Sequence, residues 1–140
     1  MPNTRVTLET ARLMMDACLN KAQEMNLRII VAVADDHGDL IAFNKMDGSL
    51  LISTEIAINK AWTSVAIKMT SNQFGQLANN NGPLAWVTGT NGHRLIAVAG
   101  GLPLIAGGEI IGGIGVSRAT AEQDEIIAQA GVDVFQQLNA

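Results

Sequence analysis

Residues 29–34, IIVAVA, are six consecutive apolar positions without polar alternation, and no other stretch constrains the fold as much. A run this short predicts a strand covered on both faces. Asp35-Asp36-His37-Gly38-Asp39 follows as a turn, residues 40–43 return as a second strand, and Asp47-Gly48 ends it. A hairpin whose inner strand is buried from both sides needs helices above and below the sheet.

Helical periodicity supplies those helices. Thr7 can cap a first helix with Glu9 near its positive end. Ala11, Met14, Met15, Cys18, Ala22 and Met25 then recur at three- and four-residue intervals, and Asn26 is a stop. Residues 51–69 carry Ile52, Ile56, Asn59, Lys60, Thr63 and Ile67 in helical register, with Ala57, Ala61 and Ala66 permitting close approach to a sheet or a partner. Residues 71–81 are polar, and Asn79-Asn80-Asn81-Gly82-Pro83 marks a loop. Thr120-Ala121-Glu122-Gln123 matches a capping box, with Glu122, Asp124 and Glu125 in the first turn of a last helix. Ile126, Ile127, Ala130, Val134 and Leu138 are expected to face inward on it.

Between these helices lie three apolar runs split by glycines: residues 95–99, 102–105 and 109–117. The predicted order is α-β-β-α-loop-β-β-β-α in one domain spanning residues 1–140, of α/β class in the α+β sense. Hairpin-length connections make the sheet mostly antiparallel.

The stretch GGEIIGGIGVS, residues 107–117, could be taken for a phosphate-binding loop. It fails that test, because Ile114 and Gly115 stand where lysine and Ser/Thr are needed. It also fails as a dinucleotide fingerprint, since Gly113-x-Gly115 ends in Arg118. Gly107-Gly108 reads instead as a hairpin turn, and the interior glycines as places where a helix, a ligand or another subunit comes close.

Composition narrows the partners. A net charge of −4, with nine basic residues spread along the chain and few aromatics, argues against nucleic acid. The N-terminal residues MPNTRVTLET show no apolar core of a secretory signal, and no run is suited to a membrane span. Cys18 is the lone cysteine, so no internal disulfide forms; a cytoplasmic location is expected.

Few residues stand out for chemistry. His37, in a turn, and His93, opening an expected strand, are the only histidines, and no zinc-type spacing accompanies them. Each reads either as a solvated loop residue or as a ligand. Asp35, Asp36 and Asp39 lack the calcium-loop pattern, and there is no G-x-S-x-G elbow. Asp47, Glu55, Asn59 and Lys60 could line one mouth of the sheet or form an ordinary exposed face.

The segments IIVAVADDHGDLIAFNKMDG, EIAINKAWTSVA and AGGLPLIAGGEIIGGIGVSRATAEQDEIIAQAG together resemble the GlcG/HbpS-like haem-binding family. The same module forms the C-terminal domain of PduO-type corrinoid adenosyltransferases. The resemblance spans residues 6–138 and implies a five-stranded antiparallel sheet flanked by helices, of profilin/PAS-like architecture. It implies a homo-oligomer, often an octamer, and an accessory or sensor protein beside glycolate, diol or glycerol metabolism. Haem or a related tetrapyrrole is the implied ligand, with His93 and His37 the best candidates for the iron and Met69 behind them. Adenosyltransferase chemistry belongs to the other domain of the two-domain proteins. A different reading makes the chain a small-molecule enzyme or metabolite binder, using Asp47, Glu55, Lys60 and the Gly100, Gly101 and Pro103 segment around a small organic acid. A third makes it a structural partner in a metabolic complex.

Overall fold

A computed structural model describes residues 5–139. Helix α1 (Leu8–Glu24) leads into the hairpin β1 (Ile30–Asp35) and β2 (Leu40–Lys45), then into α2 (Ile52–Ala66) and α3 (Ser71–Ala78). Two short 3-10 turns, Ala85–Gly89 and Asn91–His93, precede the hairpin β3 (Gly101–Ala106) and β4 (Glu109–Ser117), and α4 (Ala121–Leu138) closes the described chain. The α+β class is as expected.

The strands form one antiparallel sheet in the order β2-β1-β4-β3. Among the described residues it has four strands where five were expected. Residues 95–99 make no ladder, because side chains take their backbone groups instead: Ile96 N donates to Thr63 Oγ1 at 2.9 Å, and Ala97 O accepts from Asn79 Nδ2 at 2.8 Å. Pro103 lies on β3, an edge strand, where a missing N–H is tolerated. Gly107 and Gly108, at φ 59° and 78°, form the expected turn of the β3–β4 hairpin.

The inner strand β1 is buried from both sides, with side chains of different size on each. Ile29, Val31 and Val33 join Met14, Cys18, Ile114, Ile127 and Phe135 in the large core under α1 and α4. Ile30, Ala32 and Ala34 meet Ala57 and Ala61 of α2 on the other face. There α2 rests almost directly on the backbone of β4. A Cβ on Gly113 would strike Ser64 Oγ and Ala61 O, and one on Gly115 would strike Ala57 O and Ala61 N. Of the three neighbours the sequence allowed for these glycines, the helix is the one present.

Two helices depart from expectation. Residues 71–81 are polar in sequence and carry no expected helix, yet Thr70 and Gln73 build a full capping box that starts α3, with Phe74 and Ala78 turned inward. Helix α4 has its capping box at Thr120 and Gln123 as expected, but its buried face is Asp124, Ile127, Ala128, Gly131, Val132 and Phe135. Ile126 and Leu138 are exposed. The register is set by Gly131, where a Cβ would lie 2.9 Å from Cys18 Sγ, so α4 presents its smallest side to α1. Replacing Thr120 with alanine removes the acceptor for Gln123 N and should lower stability by about 1 kcal/mol, read as a lower chemical-denaturation midpoint.

Cys18 is inert packing. It donates to Ile127 O at 3.3 Å, and burial pushes its thiol up to about 12.

Candidate functional site

The end of β4, the middle of α2 and the start of α4 meet around one buried charge pair. Lys60 is 2% exposed, and its ammonium donates to Asp124 Oδ2 at 3.0 Å and to Val116 O at 2.9 Å. Asp124, also 2% exposed, uses its other oxygen to accept from Ala119 N at 3.0 Å. Burial pulls the Lys60 ammonium below its ordinary value, and the charge and hydrogen bond of Asp124 work against that pull. Burial pushes Asp124 up, and Lys60 and the Ala119 amide oppose it.

The backbone is shaped around this pair. Gly100 has φ 126°, and a Cβ there would lie 2.7 Å from Lys60 Nζ and 2.7 Å from Val116 O. Gly101 lies against the carbonyl of Lys60, and its amide donates to Ser71 Oγ at 2.8 Å. The structure therefore unites Lys60, Gly100 and Gly101. Asp47 and Glu55 are exposed, and among the described residues neither makes a hydrogen bond or ion pair with Lys60. Pro103 is half-buried within β3, not in a turn.

Above the pair opens a cleft of about 330 Å³, bordered by Lys60, Asp124, Ile56, Ile96 and Arg118 among others. A larger cleft of about 550 Å³ adjoins it across Val98 and Ala121 and carries Glu122 and Glu125. Arg118 has φ 108°. An arginine held there costs about 1–3 kcal/mol relative to relaxed backbone, a strain that concentrates at working sites.

The histidines stand elsewhere. His93 is exposed with φ 62°, and the next residue, Arg94, stacks its guanidinium 4.2 Å from the centroid of Trp62 on α2. His37 is exposed in the β1–β2 turn, whose Gly38 packs against the same indole. Among the described residues neither imidazole has a hydrogen-bond partner, so both ring nitrogens are free to ligate. Met69 is half-buried and packs against the small cluster of Phe74, Ala78 and Leu95. No group of three or more His, Cys, Asp or Glu side chains that could hold a metal ion occurs among the described residues.

A family model described as haem degrading protein HbpS-like matches residues 6–133. The chain belongs to the HbpS-like family. A 15.0 kDa protein of Citrobacter freundii, encoded in a dhaT-dhaS intergenic region, is 32% identical to this HbpS-like chain over 133 residues, covering 95% of this chain and 94% of that protein. The crystal structure of Klebsiella pneumoniae ORFY superimposes with a TM-score of 0.91 at 34% identity, covering 94% of this chain and 90% of that one. The PduOC–haem complex superimposes with a TM-score of 0.89 at 28% identity, covering 93% and 94%.

Within this HbpS-like fold, sequence reasoning placed Lys60, Gly100 and Gly101 together but missed Asp124, Ser53, Ser117 and Arg118. The signal for Asp124 was present, since it falls one turn before Ile127 and Ala128 on the buried face of α4. Ser53, Ser117 and Arg118 carried no sequence signal, because only the fold brings α2 to the end of β4. Among the described residues no helix is long and apolar enough to cross a membrane.

Proposed function

We propose that this protein is a haem-binding accessory or sensor protein, acting as a homo-oligomer in small-metabolite utilisation. The observation that carries the reading is whole-length likeness to a solved haem complex, the PduOC–haem structure, within a family described by haem. The residues present fit such a ligand. Two unpartnered imidazoles, His93 and His37, flank the region of Trp62, and Arg94 offers a guanidinium of the right charge for a propionate. Both histidines are exposed, so a bound porphyrin keeps one face to water unless a second copy covers it. Strongly exposed apolar side chains, Leu51, Ile52 and Trp86, supply surface for that second copy. The bound group would contribute an iron centre; the chain's own residues ligate, orient and shield it.

Titrating purified protein with haemin, with absorbance and light scattering in parallel, tests the reading. A saturable Soret shift at fixed stoichiometry per subunit is expected, weakened by His93→Ala or His37→Ala. A flat titration on a well-formed assembly removes haem. Saturable binding that neither substitution perturbs removes the histidines.

A further inference from the structure

We infer that the cleft above Lys60 and Asp124 binds a small organic carboxylate with a short apolar body. The cleft is a second site, separate from the histidines and independent of haem.

Two serines carry the argument. Ser53 and Ser117 both line this cleft and are only 3% and 4% exposed. Among the described residues neither hydroxyl has a hydrogen-bond partner. Yet no buried side-chain oxygen or nitrogen is left unsatisfied among those residues. Both hydroxyls must therefore reach solvent, and for residues so enclosed the cleft is the way out. Unpartnered hydroxyls in a nearly closed wall are what a polar ligand atom would satisfy.

The charges select the sign. Lys60 and Asp124 cancel each other, while Arg118 borders the same cleft and makes no ion pair among the described residues. Glu122 and Glu125 line the neighbouring cleft rather than this one. Helix α4, 18 residues long, begins at Ala121, another lining residue, so its positive end faces the same space. Gln123 N is already capped by Thr120, which leaves the amides of Ala121 and Glu122 for a ligand. Within this cleft Arg118 and the start of α4 are the groups that attract an anion, and a planar guanidinium suits a carboxylate.

The remaining wall is hydrocarbon: Ile56, Ile96 and Val98. A volume of about 330 Å³ lies at the small end for ligand sites. The carboxylate belongs at Arg118, Ser117 and the start of α4, with the apolar body against the isoleucines. The strained φ of Arg118 gives the cleft its cation, which a relaxed glycine would not.

The test is a nuclear magnetic resonance titration of the full chain with butyrate, with butyramide and inorganic phosphate alongside. Butyrate should produce saturable amide shifts confined to Ser53, Ile56, Ile96, Val98 and residues 117–122, and butyramide none. Arg118→Gly removes the charge and relieves the backbone, so it should fold at least as well while weakening butyrate by about tenfold. Ser117→Ala should weaken it less. Equal response to butyramide would mean an apolar crevice, and equal binding of phosphate a different anion class; either overturns the proposal. So does the absence of saturable shifts, or undiminished binding by Arg118→Gly. His93→Ala should leave the butyrate shifts intact, so failure of the haem reading and failure of this one are distinguishable.

Discussion

Lys60→Met is expected to destabilise the fold by about 3–5 kcal/mol, measured as the loss in unfolding free energy by denaturant titration near neutral pH. The reason is Asp124, not the lost ammonium. Its carboxylate is 2% exposed, and without Lys60 it keeps one hydrogen bond, from Ala119 N, and no countercharge. Removing both partners together, as in Lys60→Met with Asp124→Leu, should recover much of the loss, since a buried pair replaced by hydrocarbon is often neutral. A double substitution as unstable as the single would show that the pair itself, rather than the orphaned charge, holds the site.

The pH dependence of the single variant has a definite sign. Burial already pushes Asp124 up, and Lys60 is one of the groups that lowers it, so the variant's carboxyl lies higher still. Between the unfolded and folded values, the folded state holds a proton that the unfolded state lacks, and stability falls as pH rises. The deficit of Lys60→Met against the unaltered protein should therefore be large near neutrality. It should shrink on acidification as pH drops through the raised folded value. A deficit constant across that window would mean that Asp124 is not the charge left behind.

Gly115→Val should be at least as damaging locally, costing about 3 kcal/mol or more and lowering the soluble folded fraction. Its Cβ would overlap Ala57 O and Ala61 N, and these are backbone atoms of α2 that no rotamer can move aside. Gly89→Ala is the matched control, with nothing within 4 Å of the added carbon, and should fall within about 0.5 kcal/mol of the parent. Equal effects from the two would refute the close approach of α2.

Much of this architecture was legible in the chain. The unalternating run at residues 29–34 required helices on both sheet faces, and they are there. The alanines of α2 and the glycines of β4 each announced a close approach, though neither could say that the other was its partner. Two readings failed for one reason: periodicity does not see what satisfies a backbone. Residues 95–99 are apolar enough for a strand, but Thr63 and Asn79 capture their backbone groups from outside the sheet. In α4, counting large side chains selected Ile126, Val134 and Leu138, whereas the packing turned on a small one, Gly131. That one-step error in register also hid Asp124, which joins Lys60 across 64 positions of sequence.

The seating of α2 on bare strand backbone also bears on how the protein moves. A contact without an intervening layer of side chains has nothing to take up slack, so α2 and the sheet shift together or not at all. Residues 71–99 are built differently. They centre on a small cluster of Phe74, Ala78 and Leu95, and they are tied to the rest by bonds such as Ile96 to Thr63 and Gly101 to Ser71 and by the packing of Trp62 and Ile67 against that cluster. Local opening belongs to such a segment, whose tethers can break without unseating the main core. Ile96 and Val98, one wall of the smaller cleft, ride on it. Amide hydrogen exchange faster at Ile96 and Val98 than at Lys60 and Asp124 is the expected sign that the mouth of that cleft opens over a fixed floor.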